Sequence, residues 1–404
     1  MLTYEVEKKT KTWFFFILIY LIVDFIRPQD LAPIGAVRLG MLSMLVLLSY
    51  CLILGKFFFE IPQIRILWLF FVLLVIHIPL ARNNFYAYQT AMAFLPMLVF
   101  VLSLVFCLNI KRLKIVVNLI ILSMIYMAFF GLTHGGHGSG GYFTDENDLA
   151  LFIIFVLPLC YFLIFVGHKI KWKIFYAFST LIGLAAVIAT MSRGGMVGLI
   201  AIGIGVWFFS NKKILSLLLI GFLTIFIFWI GEASYWQEMS TISDITESTA
   251  QARIQSWTTA WKMFLDNPFG VGGNNFQVRF PEYQTEWFKR GMWGRVSHSL
   301  WFTILSELGI PGCILYLGLS VKNFSDIAII RRLPVEGSDD VIYLKALASA
   351  FTCSILGYFA CGTFLSVLYY PYYWYLTGII VATTRIGQEI VARQNDIINL
   401  RPSS

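Results

Sequence analysis

The sequence predicts an all-α polytopic membrane protein with about twelve transmembrane helices, and three observations carry that expectation. The chain has 404 residues, of which 58% are hydrophobic, 17% aromatic and only 13% charged, too apolar for a soluble domain built around one core. Apolar runs of roughly 17 to 24 residues recur along it, each long enough to cross hydrocarbon at about 1.5 Å of rise per helical residue. The third observation is the charge pattern: lysine and arginine alternate, gap by gap, between dense and sparse.

In chain order the apolar spans fall at 13–26, 39–59, 64–80, 90–109, 113–132, 147–167, 172–190, 194–210, 213–231, 298–320, 343–366 and 370–385. The first is short and carries Asp24, and no small-residue cleavage site follows it, so it reads as a retained helix rather than a removed signal peptide. Placing Lys8, Lys9 and Lys11 in the cytoplasm makes every second gap cytoplasmic. Those gaps hold Lys56 and Arg65, Lys111 to Lys114, Lys169 to Lys173, Lys212 with Lys213, Lys322 to Lys345, and the basic residues from Arg385 onward. About 20 of the 30 basic residues thereby share one side, as the positive-inside rule requires, and both termini are expected there. The organisation is therefore 1–231 with nine spans, 232–297 as a long outer loop with short helices between spans nine and ten, and 298–404 with three spans and a tail.

Solvated anchors of this kind account for the net charge of +8, so no nucleic-acid partner is expected. All six cysteines fall inside predicted spans without metal-ligand spacing, which reads as buried thiols. No metal and no cofactor is expected. His134 and His137 with Asp145, Glu146 and Asp148 can be drawn as a metal site, but glycines and acids in an outer segment more often make turns. Gly270-x-Gly272-Gly273 lacks the lysine and hydroxyl of a phosphate-binding loop. Asp24 and His77 can pair within the bundle.

In the long outer loop, Ala250 to Leu265 has helical spacing with Trp257, Ala260, Trp261 and Phe264 on one face. Asp266-Asn267-Pro268 stops that helix. A tryptophan face of this kind suits the membrane interface. The outer side carries about ten basic residues, eight of them arginine: Arg27, Arg38, Arg82, Arg193, Arg253, Arg279, Arg290 and Arg295. Arginine presents a planar fork that grips phosphate bidentately, so this bias points to a phosphate or pyrophosphate ligand, with interfacial anchoring and pairs such as Asp24 with Arg27 as the alternative. Arg193 lies in Ser192-Arg193-Gly194-Gly195, directly before a helix whose N-terminus faces the same side, where dipole and guanidinium together favour an anion. Gly194 and Gly198 form a small-xxx-small pair that close packing explains by itself. His298 opens the next predicted helix, where the dipole favours the neutral imidazole that a general base needs.

Arg193 in its Ser-Arg-Gly-Gly turn, Arg253, the run Asp266-Asn267-Pro268-Phe269-Gly270-Val271-Gly272-Gly273-Asn274-Asn275-Phe276, and His298-Ser299-Leu300 leading into Glu307-Leu308-Gly309-Ile310-Pro311-Gly312 occur in one order. In that order they resemble the O-antigen ligase superfamily, which includes O-antigen and exopolysaccharide polymerases and protein O-oligosaccharyltransferases. The resemblance runs from about residue 142 to 320. Asp145-x-Asn147-Asp148 and Arg27-Pro28-Gln29 look similar too, and members with His-Asn differ from the His298-Ser299 here. It implies a metal-independent, GT-C-like enzyme of the bacterial inner membrane. Such an enzyme moves a glycan from undecaprenyl pyrophosphate onto lipid A core or a second lipid-linked glycan at the periplasmic face. His298 would be the base, Arg193 and Arg253 would bind pyrophosphate, and Arg27, Arg38, Arg279, Arg295, Asn147 and Ser192 are further candidates for substrate contact. A twelve-helix transporter and a nonenzymatic polysaccharide-assembly scaffold are the competing classes. The dissimilar halves and the charges gathered at the outer mouth weigh against a transporter.

Overall fold

The computed structural model describes residues 2–31, 39–55, 57–167, 169–210, 212–231, 233–240, 248–284, 293–334 and 338–399. Among these the regular structure is helical throughout. Seventeen α-helices follow one another: α1 (Leu2–Phe25), α2 (Pro28–Leu31), α3 (Leu39–Leu54), α4 (Pro62–His77), α5 (Asn84–Cys107), α6 (Ile110–Thr133), α7 (Glu146–Leu163), α8 (Ile170–Ala189), α9 (Arg193–Phe209), α10 (Lys213–Ile230), α11 (Ala233–Ser240), α12 (Ser248–Asp266), α13 (Phe276–Tyr283), α14 (Leu300–Thr303), α15 (Gly309–Arg331), α16 (Asp339–Gly362) and α17 (Pro371–Asn399). Among the described residues each of the twelve apolar stretches contains helix, though α3 stops at Leu54, α4 at His77 and α7 at Leu163, short of the ends the sequence suggests. Six helical segments, led by α5, α6 and α7, are long and apolar enough to cross a membrane, and four shorter apolar helices accompany them.

Local chemistry sets the helix starts. Asn83, Asn109, Asp145 and Ser192 each cap a helix by accepting a backbone N–H from inside the first turn, which satisfies one of the donors that a helix start leaves unpaired. Pro62 opens α4, where its missing N–H costs nothing. The expected continuous span from 298 is instead broken: α14 has four residues, Ile304–Leu308 forms a π-helical turn, and α15 runs on to Arg331.

The centre of the bundle is α7, whose residues from Leu149 through Leu163 are all buried. It packs against α8, α9 and α16, while α17 packs on α5 and α15. Glycines make the closest approaches. A Cβ on Gly198 would sit 2.3 Å from Cys361 Sγ, and one on Gly357 would sit 2.6 Å from Ile202. This is the small-residue contact expected between helices in lipid, where packing rather than the hydrophobic effect holds neighbours together. The outward faces of α8, α9 and α10 keep large apolar side chains exposed, including Ile204, Phe208, Phe228 and Trp229, as a lipid-facing surface requires.

The helices α7, α8 and α9, joined by short connections, pack on one another and on α16, so their turns fall at two ends. Lys114, Lys169, Lys173 and Asp339 meet at one end. At the other lie the Asp145 cap, the Ser192 turn and the segment preceding α14. At about 1.5 Å of rise per residue, α7 with 18 residues and α8 with 20 span roughly 27 and 30 Å between them.

Candidate active site

The turn before α9 is fixed through Ser192. Its Oγ accepts the Gly195 N–H at 2.9 Å and donates to Asn147 Oδ1 at 2.7 Å, while the Asn147 backbone and side-chain N–H groups both donate to Asp145 Oδ1. The starts of α7 and α9 are thereby tied together, and the preceding Met191 takes a left-handed φ of 53°, uncommon outside glycine. Arg193 is the first residue of α9. The carbonyl of Gly194 accepts from Cys361 Sγ at 3.4 Å, near the end of α16.

Three residues beyond Cys361 is Phe364, and the Arg253 guanidinium of α12 lies over its ring at 6.0 Å. The end of α16 therefore meets both the turn that carries Arg193, through the Gly194 carbonyl, and the Arg253 side chain of α12. Trp257, one turn along from Arg253, stacks on Phe302 at 5.6 Å and donates from Nε1 to the His298 carbonyl at 3.4 Å. Aromatic walls of this kind suit sugar rings as well as cations.

His298 lies in the segment leading into α14, with a left-handed φ of 49°. Its pKa is pushed down to about 4, first by burial, then by the charges of Arg295 and Arg253, with Asp145 opposing them. The neutral imidazole expected from the sequence holds, but the reason is different. Ser299 is the N-cap and Leu300 the first helical residue, so desolvation and two guanidinium groups, not a helix end, hold the proton off. Burial also lowers the pKa of Arg295.

The glycine-rich run has a structural task. Val271 and Gly272 donate backbone N–H groups to the carbonyls of Ser306 and Glu307, and Ile310 donates to the Pro268 carbonyl. Gly270 and Gly309 have positive φ, and a Cβ on either would fall 2.4 Å from Glu307 O or 2.3 Å from Pro268 O. Only glycine allows the two backbones to meet there. The Glu307 carboxylate, 4% exposed, accepts from the N–H groups of Asn274 and Phe276 and from Tyr369 Oη. Asn275 pairs through its side chain with both backbone groups of Asn83. The family-like stretches at 266–276 and 307–312 therefore lock the outer helices onto α14, α15 and α5.

The remaining candidates divide. Arg27 lies against Gly141, where any Cβ would collide with the guanidinium, and its charge acts on Asp24. Asp24 accepts from Tyr375, and His77 reaches the Leu73 and Phe269 carbonyls, so these two do not pair with each other. Arg279 is committed to Glu282, Asn267 and Tyr283. Arg38 lies outside the described residues. His134 stacks on Phe130, His137 faces the Thr144 carbonyl, and Asp148 accepts from Tyr370. Among the described residues no group of three His, Cys, Asp or Glu side chains converges on a metal position. On α12 the face expected at the membrane interface is split: Trp261 is exposed and Trp257 half-buried, while the buried stripe runs through Ser256, Thr259, Ala260 and Met263.

Sequence reasoning missed Asp145 as a charge acting on the histidine, Phe364 as the floor under Arg253, and the hydroxyl cluster of Ser297, Thr303 and Ser366 beneath the histidine segment. Phe364 and Ser366 carry no local signal, since only the return of α16 brings them there. Ser299 Oγ is buried without a hydrogen-bond partner.

These features define a polytopic helical membrane protein with histidine and arginine gathered at one end of its bundle. Residues 178–317, from within α8 to within α15, match the family model described as O-antigen ligase. That stretch contains Arg193, Arg253 and His298, and the resemblance to the O-antigen ligase superfamily rests on it. No curated protein matches the chain.

Proposed function

We propose that this protein is a glycosyltransferase of the bacterial inner membrane, transferring a glycan from undecaprenyl pyrophosphate to an acceptor hydroxyl on the periplasmic face, as an O-antigen ligase or polymerase. In this reading the chain crosses the membrane about twelve times with both termini cytoplasmic. The observation that supports it most is the imidazole of His298 held neutral beside Arg253 and Arg295.

The chemistry follows from that arrangement. A lipid pyrophosphate is already an activated leaving group, so the protein supplies charge stabilisation and a base. His298 takes the proton from the acceptor hydroxyl as its oxygen attacks the anomeric carbon. The bond to pyrophosphate breaks, the lipid pyrophosphate departs with the electron pair, and the imidazolium returns its proton to solvent. A single displacement of this kind inverts the anomeric centre. Arg193 and Arg253 carry the pyrophosphate, with Arg27, Arg295, Asn147 and Ser192 around them.

A base with a pKa of about 4 is weak near neutrality. A pyrophosphate seated against the arginines offsets the cations that depress it, and so raises its basicity when the donor is bound. The donor thereby prepares the base that consumes it.

The test uses purified protein and undecaprenyl-pyrophosphate glycan, with lipid A core in one reaction and donor alone in the other, resolved by size. One discrete shift of the lipid A core identifies a ligase, and a ladder from donor alone identifies a polymerase. His298→Ala, expressed at normal level, is expected to lose about a hundredfold or more in turnover, and unchanged transfer by that variant would overturn the base assignment.

A further inference from the structure

His298 is held through its backbone. It keeps a φ of 49°, a left-handed conformation that costs a non-glycine residue free energy and persists only where the surroundings fix it. The chain is tied down on either side. Ser297 Oγ lies 2.6 Å from Thr303 Oγ1 and 3.1 Å from Ser366 Oγ. The carbonyl of Ser299, the N-cap of α14, accepts the Thr303 N–H at 2.9 Å. The His298 carbonyl lies one residue before that ladder, so its donor has to come from another element.

That element is α12. Trp257 Nε1 donates to the His298 carbonyl at 3.4 Å. The indole is itself gripped: Phe302 stacks on it at 5.6 Å with ring planes 16° apart, and Phe364 lies 6.2 Å away. The Arg253 guanidinium lies over the same Phe364 ring at 6.0 Å. Arg253 and Trp257 are four residues apart within one helix and so share a face of it. One frame therefore carries both an arginine and the group that fixes the histidine backbone.

We propose that Trp257 is a positioning residue, whose indole N–H holds the His298 carbonyl and so keeps the imidazole in register with Arg253. The inference rests on the glycosyl-transfer reading, in which Arg253 carries the pyrophosphate and His298 takes the acceptor proton. The indole handles neither. It acts only through the histidine backbone, and a displacement of about 1 Å at a reacting group costs on the order of a hundredfold in rate. Loss of the directing bond therefore appears in turnover rather than in donor binding.

The test places two replacements at position 257 of the full-length protein. Trp257→Phe removes the N–H with part of the ring system. Benzothienylalanine, installed there by nonsense suppression, keeps the shape of the indole and loses only the N–H, so folding is not at issue. His298-Ser299 is the single His-Ser pair among the five histidines of the chain, and carbonyl-labelled histidine with nitrogen-labelled serine isolates that peptide group by NMR. In both variants the carbonyl resonance is expected to move, kcat to fall about tenfold or more, and KM for the lipid-linked donor to stay within about twofold. A carbonyl resonance unmoved by the benzothiophene overturns the proposal, whether or not the protein transfers glycan. A moved resonance with unchanged kcat, in a parent that transfers glycan, also overturns it and leaves the base assignment standing. A parent that transfers no glycan refutes the reaction, and the positioning role falls with it even where the resonance moves.

Discussion

His298 titrates in a direction that can be measured in two ways. Its folded pKa of about 4 lies below the ordinary 6.5. Between those values the unfolded chain holds the proton and the folded one does not, so stability falls as pH drops from about 6.5 towards 4. His298→Gln removes this dependence, and the pH slope of the thermal midpoint in that window should flatten relative to the parent. In kinetics, the acid limb of kcat/KM reports free enzyme and should lie near pH 4 to 5, while the limb of kcat, set in the donor complex, should lie at higher pH. Coincident limbs would mean that the donor does not relieve the arginine charges. The sequence offered Arg193, Arg253 and His298 as candidates because ionisable groups in so apolar a chain demand a reason. Asp145 as a partner of the histidine was not legible, because the two lie 153 positions apart and only the joined starts of α7 and α9 present the acid there.

The outer helices behave as one unit because the glycine run is clamped to the π turn before α15. Gly270→Ala or Gly309→Ala places a Cβ within 2.4 Å of backbone and forces a strained φ, a cost of about 2 kcal/mol or more. A lowered thermal midpoint, with faster proteolysis between residues 266 and 284, is the expected sign. Glu307→Gln is subtler, since the amide keeps the shape but turns a donor towards the N–H groups of Asn274 and Phe276. Hydrogen exchange of those two amides should rise while the other helices are unchanged. Helix existence and order were readable from the apolar runs and the Asn, Asp and Ser caps. The break after His298 was not, because the π turn is stabilised by tertiary partners, Val271 and Gly272, that no local pattern announces.

Across the whole molecule the two ends of the bundle differ in chemistry: lysine with aspartate at one, arginine with histidine at the other. Single cysteines placed on Trp293 and on Lys171 should react with a membrane-impermeant maleimide from opposite sides of sealed vesicles. Labelling of both from the same side would refute the alternating topology. That alternation is an expectation the sequence offers, since the insertion rule acts on charge counts alone. Which helices touch was not legible, because glycines such as Gly198 and Gly357 set the approach and are indistinguishable in sequence from those that merely turn the chain. One contact also makes the candidate site optically visible. The Trp257 indole is stacked on Phe302 and bonded to the His298 carbonyl, so any substrate that shifts this backbone alters the emission of that one fluorophore, and the difference between parent and Trp257→Phe spectra isolates it from the other eleven tryptophans.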